Sequence, residues 1–165
     1  MFLCLYNSYD KLNLHDIHTR SVARATPVCY ALDFTLVLLD FPHPMYDHVV
    51  ASTTIGKEGS YLRKLKDMNH YMELKGKLPL ATLVVTTSSP DETKEISCQG
   101  LVDLSTRGKR LAFIIGLGRR GIPKSLRSKA HYHWDATGRG ISLETCTAIG
   151  YIASRFTTAL EYGHS

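Results

Sequence analysis

At 165 residues the chain has the length of one domain, and a chain of that size buries enough surface to fold without disulfides or a structural metal. Hydrophobic residues make up 44% and charged residues 21%, an ordinary globular balance. No apolar run approaches the roughly 18 residues of a membrane span, and the apolar start from Met1 to Tyr6 is too short, and lacks a basic leader, for a secretory signal. Cys4, Cys29, Cys98 and Cys146 are scattered without a C-x-x-C pair. That spacing argues against a zinc site or disulfide framework and points to a reducing, cytoplasmic setting.

Taken in chain order, residues 2–6 read as a buried strand, and 16–32 as a helix that Pro27 must start or kink. The run 34–41 (FTLVLLDF) is continuously apolar, as expected of a strand covered on both faces, and Pro42 and Pro44 end it. Over 60–74, Leu62, Leu65, Met68 and Met72 recur at helical spacing. Residues 80–86 (LATLVVT) and 111–115 (LAFII) are two more buried strands, and 142–162 carries a helical stripe of Ile149, Ile152, Ala153, Phe156 and Leu160. Strands alternating with helices predict a mostly parallel sheet with helices on both faces. Such sheets bind ligands beyond the carboxyl ends of their strands.

Two of those ends are chemically suggestive. Thr86, Thr87 and Ser88 offer hydroxyls and free N–H groups, and Gly116-Leu117-Gly118-Arg119-Arg120-Gly121 offers a backbone that approaches a ligand closely. The glycine run is no dinucleotide fingerprint, because it stands late in the chain and Pro123 falls where the phosphate-binding helix should be under way. Basic residues also concentrate here. From Arg107 to Arg139 there are nine Lys or Arg opposed only by Asp135, in a chain of net charge +5. Clustered cations release counterions on binding a polyanion, so nucleic acid is a natural partner, with the solvated surface of a basic protein as the equal alternative. In the segment His131-Tyr132-His133-Trp134-Asp135 the spacing favours a packed loop or a base-stacking surface over metal ligation, and no metal is expected.

Three segments in order resemble the SpoU branch of the SPOUT (α/β-knot) RNA methyltransferases. Thr19-Arg20-Ser21-Val22-Ala23-Arg24-Ala25-Thr26 is similar to the first motif of that family, with Arg24 on its arginine. Phe113-Ile114-Ile115-Gly116-Leu117-Gly118-Arg119-Arg120-Gly121-Ile122 is similar to the strand-then-Gly-x-Glu-x-x-Gly motif, with Gly118 in place of the Glu. Gly140-Ile141-Ser142-Leu143-Glu144-Thr145 resembles the Ser-Leu-Asn motif that opens the last helix, with Glu144 in place of the Asn. The Gly-Leu-Gly-Arg, His-Trp-Asp and Ser-Leu-Glu pattern is most similar to an uncharacterised archaeal branch of the superfamily.

The resemblance implies one domain over 1–165, with a deep trefoil knot in which the chain after Gly121 threads an earlier loop. It implies S-adenosylmethionine as cofactor, held by Thr86, Thr87 and Ser88, by Gly116, Leu117, Gly118, Gly121 and Ile122, and by Ile141 and Leu143. Arg24, Ser142 and Glu144 are then the catalytic candidates, with Glu144 open as base, cofactor contact or helix N-terminal charge. Arg119, Arg120, Arg127, His133 and Arg139 are the candidates for holding RNA, a tRNA or rRNA methylated on a ribose 2′-hydroxyl. Relatives of this size imply a homodimer, here through the stripe around Ile152 and Phe156. The alternatives are a catalytically silent RNA- or cofactor-binding module and a metal-dependent nuclease.

Overall fold

The apolar runs 2–6, 34–41, 80–86 and 111–115 form the middle of a parallel sheet. The computed structural model describes residues 1–52 and 58–163. In chain order the elements are β1 (Phe2–Tyr6), α1 (Asp16–Ala31), β2 (Thr35–Leu39), α2 (Tyr46–Ser52), α3 (Glu58–Asp67), β3 (Tyr71–Leu74), β4 (Thr82–Thr86), α4 (Cys98–Thr106), β5 (Leu111–Gly116), α5 (Lys124–Lys129), β6 (Tyr132–Trp134) and α6 (Thr145–Tyr162). The sheet has six strands in the order β3-β2-β1-β5-β4-β6, and every pairing is parallel. Pro27 is accommodated inside α1. Among the described residues no helix is long and apolar enough to cross a membrane.

Strand order dictates where the helices go. The steps β1→β2, β2→β3 and β4→β5 run one way across the sheet, so right-handed crossovers put α1, α2–α3 and α4 on one face. The step β5→β6 runs the other way and sends α5 to the opposite face. The buried clusters agree. Leu3, Leu5, Leu36, Leu38, Phe113 and Ile115 pack with Val22, Leu62, Leu101 and Phe156 on the first face. On the second face Cys4, Val37, Val85 and Ile114 are covered by Leu126 of α5, by Ala130 just after it, and by Leu78 and Ala81 of the strap 75–81. Among the described residues helices thus cover both faces unequally, five on one side and a single short helix on the other.

Two expectations change. The helical pattern over 60–74 covers two elements: α3 stops at Asp67, Asn69 turns the chain with φ 58°, and Tyr71–Leu74 pairs with β2 as an edge strand. The stripe on α6 is not a free face either. Ile152 and Phe156 are buried within this chain, Phe156 meeting Phe113 at 4.9 Å between ring centroids, so these two residues cannot form a dimer contact.

Candidate functional site at the strand-order switch

The chain leaves β1 toward one face and leaves the adjacent β5 toward the other, so the carboxyl ends of these neighbours diverge. Tyr6 and Gly116 are register partners at that point. A crevice at such a switch is where open α/β sheets hold ligands. A cavity of about 510 Å³ opens there, lined by Thr86, Thr87 and Ser88 after β4, Gly116, Gly118, Arg119, Arg120, Gly121 and Ile122 after β5, and Ile141, Ser142, Leu143 and Glu144 before α6. Its size is within the usual range of small-molecule sites.

The loops are tied to one another by short polar links. Thr145, the first residue of α6, donates its hydroxyl to Gly116 O and accepts from Gly118 N–H, both at 3.3 Å. Gly118 and Gly121 hold φ of 72° and 60°, which side chains rarely adopt. A Cβ on Gly116 would stand 2.9 Å from the Gly121 carbonyl carbon, so the loop closes only on glycine. On the opposite wall Asp135 accepts from Thr137 N–H, Thr137 Oγ1 and Gly140 N–H, folding the turn that leads to Ile141. Desolvation raises the pKa of the Asp135 carboxyl, but these hydrogen bonds outweigh it and hold the group below the usual carboxylate range.

The other anticipated residues fall in different places. Leu117 does not line the cavity; it continues the in–out alternation of β5 for one more residue and is buried in the core beside Ile115. Glu144 does line it, while Oε2 accepts from Cys146 and Thr147 N–H at 2.9 and 3.3 Å, making Glu144 the N-cap of α6. Arg24 is exposed on α1 and lies outside the cavity of its own chain; with Arg20 it faces Cys146, whose thiol pKa is nevertheless raised, by burial first and then by Glu144. Arg119 and Arg120 are exposed on the rim, whereas Arg139 is exposed outside the lining. Arg127 reaches the cavity but donates to Ser89 O, bracing the loop after β4.

His133 and Trp134 overturn the stacking-surface expectation. His133 is 3% exposed: Nδ1 accepts from Asp91 N–H and Nε2 donates to Arg127 O, so it bonds loops together and is closed to RNA. Trp134 is buried against Phe113. The sequence reading missed Thr145, Asp135 and Ile17 as site residues. An Asp-x-Thr turn pattern and a hydroxyl at the start of the last helix were the available signals.

The fold is similar to that of methyltransferases of known structure. A protein described as a probable methyltransferase from Bordetella pertussis Tohama I superposes with a TM-score of 0.64 at 15% identity, covering 96% of this chain and 93% of the other. The SpoU methyltransferase AviRb from Streptomyces viridochromogenes, in complex with AdoMet, gives 0.57 at 12% identity over 98% of this chain and 58% of the other. The AdoMet-bound rRNA methyltransferase from Sinorhizobium meliloti gives 0.54 at 11% identity over 96% and 56%. The fold is therefore the α/β fold of SpoU-type methyltransferases, and the chain spans little more than half the length of the last two. At the sequence level, the chain belongs to the family described as protein of unknown function (DUF531), whose model matches residues 1–157. It is 44% identical over 151 residues to the uncharacterized protein MJ0224 of Methanocaldococcus jannaschii, covering 91% of this chain and 89% of that protein.

Proposed function

We propose that the chain binds S-adenosylmethionine in the 510 Å³ cavity and methylates an RNA, a tRNA or rRNA, on a ribose 2′-hydroxyl. The observation that carries this reading is the convergence of all three loops on one cavity at the strand-order switch. When bound, the sulfonium supplies an electrophilic methyl group. The chain's own residues supply the rest. Ile122, Ile141 and Leu143 offer apolar surface to a purine ring, and the glycine loop lets the backbone come close to it. Ser142 stands in the lining where an acceptor hydroxyl is aligned, which is most of what methyl transfer asks of a protein. Arg119 and Arg120 on the rim attract phosphates.

The same reading includes the knot, with the segment after Gly121 threaded before α6. It is supported by Thr145 at the start of α6 bonding the end of β5 although β6, just before it in the chain, pairs at the far edge of the sheet. The reading also includes a homodimer, built not on Ile152 and Phe156 but on the outer side of α1 and α6, where Arg20, Arg24 and Tyr151 are exposed. Arg24 then enters the chemistry through the cavity of a second copy.

A metal-dependent nuclease is disfavoured because the two carboxylates of the cavity, Asp135 and Glu144, are taken up by backbone N–H groups of their own turn and helix. Calorimetry with S-adenosylmethionine, followed by mass-shift assays on tRNA and rRNA, tests the proposal. Wild type should bind, and Gly116→Ala should bind about fivefold to a hundredfold more weakly, since overpacking of this kind costs about 1–3 kcal/mol. An absence of binding heat from the wild-type chain at millimolar cofactor removes the reading.

A further inference from the structure

The proton released by the acceptor has no evident destination inside the cavity. Arg24 lies outside it, and a guanidinium, with its pKa above ~12, is a poor base. Across the switch from the glycine loop, however, stands the turn joining β1 to α1. Tyr9 in that turn is half exposed, and its ring covers Gly118, where an added Cβ would lie 3.1 Å from Tyr9 Cδ2. The same Cβ would be 3.8 Å from Ile17, which lines the cavity. Tyr9 therefore occupies the space that a side chain at position 118 would need, next to Gly118 and Ile17 of the cavity lining although not in the lining itself. His15 meets the Tyr9 ring edge-on at 5.1 Å between centroids.

We propose that this turn seats the acceptor nucleotide, with Tyr9 as the surface on which its base stacks and His15, held by Asp10, as the group that takes its proton. The proposal rests on the methyltransferase reading above. His15 Nε2 is 2.8 Å from Asp10 Oδ2. Asp10 also accepts from the N–H groups of Leu12 and Asn13 at 2.8 and 3.0 Å. The bond from His15, then those from the two N–H groups, hold the Asp10 carboxyl far below the usual carboxylate range. An ionised carboxylate only accepts, so Nε2 must carry the hydrogen and the basic electron pair of the neutral ring is on Nδ1. His15 is 42% exposed at the side chain, open to a substrate.

Beneath this pair the turn is rigid. Fully buried Asn7 donates to Asp10 O and Asp40 O and accepts from the N–H groups of Tyr9 and Asp10. In the step itself the acceptor oxygen forms a bond to the methyl carbon as the sulfur–methyl bond breaks and its electron pair returns to sulfur. The hydroxyl proton goes to His15 and from there to water. An aromatic face accepts any base, and its loss costs a readable part of single-strand affinity.

The first test needs no cofactor: anisotropy of a fluorescein-labelled single-stranded RNA nonamer with wild type, Tyr9→Ala and Tyr9→Phe. Tyr9→Ala should bind about tenfold more weakly and Tyr9→Phe as wild type, since stacking uses the ring and not the hydroxyl. The second follows methyl transfer to unfractionated tRNA. His15→Gly should lose about a hundredfold in kcat with little change in KM or in cofactor affinity, and added imidazole should restore part of the rate. Equal RNA affinity of wild type and Tyr9→Ala overturns the proposal, as does a His15→Gly rate equal to wild type or untouched by imidazole. If wild type binds no S-adenosylmethionine, the methyltransferase reading itself fails; if it binds and these variants behave as wild type, this inference alone does.

Discussion

Buried His18 is held neutral by what surrounds it. Nδ1 accepts from His15 N–H at 3.0 Å, which leaves Nε2 to donate to Asn7 Oδ1, also at 3.0 Å. Burial is the main reason its pKa is lowered, against smaller opposing pulls from the His15 backbone and then from Asp10. The unfolded chain, whose histidine titrates near the ordinary value of about 6.5, therefore binds a proton that the folded one refuses. The contribution of His18 to stability is complete above that value and is lost as pH falls below it toward the lowered folded pKa. Urea midpoints should drop between pH 7.5 and 5.5 at constant ionic strength, and His18→Gln should flatten that dependence; an equal slope in the variant would contradict the assignment. Glu144 gives a second prediction at this scale. As the N-cap of α6, Glu144→Ala should cost about 1 kcal/mol by urea denaturation, and Glu144→Asp should recover most of it. Residue patterns showed the glycine loop because three glycines in six positions have few other uses. They did not show Leu117 as core, since that depends on β5 keeping its alternation one residue past its last pairing.

At the scale of elements, the long apolar runs were legible because a strand buried on both faces needs nothing but apolar residues. The elements that escaped are short or lean. β6 is three residues long, α5 buries only Leu126, and α4 buries Leu101 and Val102. Periodicity cannot register so few positions, and these elements owe their conformation to tertiary bonds. β6 is the clearest case. His133 joins Asp91 N–H to Arg127 O, and Lys94 Nζ donates to Ser128 O and Ala130 O, so α5, β6 and the loop after β4 form one latched unit. His133→Phe keeps the ring volume but leaves Asp91 N–H without its partner and takes one of two bonds from Arg127 O, which also accepts from Ala130 N–H. At about 1–3 kcal/mol for a desolvated group left without a partner, and with only the Asp91 N–H, on an exposed residue, orphaned, the variant should lose about 1 kcal/mol in chemical denaturation. A loss under half a kcal/mol would show that the latch does not hold the unit together. Because Arg127 lines the cavity and braces Ser89, the neighbour of Ser88 in its lining, the same variant should also bind S-adenosylmethionine more weakly.

For the whole molecule, the switch in strand order decides where chemistry is possible, and the charge decides what approaches it. The net charge of +5 is unevenly spent along the sequence, and folding carries the Arg119-Arg120 pair to the cavity mouth while Arg127 is drawn into a bond with Ser89 O. The carboxylates that might offset the pair, Asp135 and Glu144, face their own backbone N–H groups. On the proposed RNA-binding reading the mouth is where a phosphate backbone lands, and the interaction should be dominated by counterion release. For a single strand the slope of log K against log salt is about −0.7 for each phosphate neutralised. If Arg119 and Arg120 each neutralise one, the double replacement Arg119→Gln, Arg120→Gln should make the slope shallower by about 1.4 and weaken binding similarly for every sequence tested. Tyr9→Ala should instead weaken binding at all salt concentrations and leave the slope alone, because stacking releases no ions. Titrations of the RNA nonamer from 50 to 200 mM salt separate the two contributions. A double variant with the wild-type slope would move the phosphate contacts away from the cavity mouth.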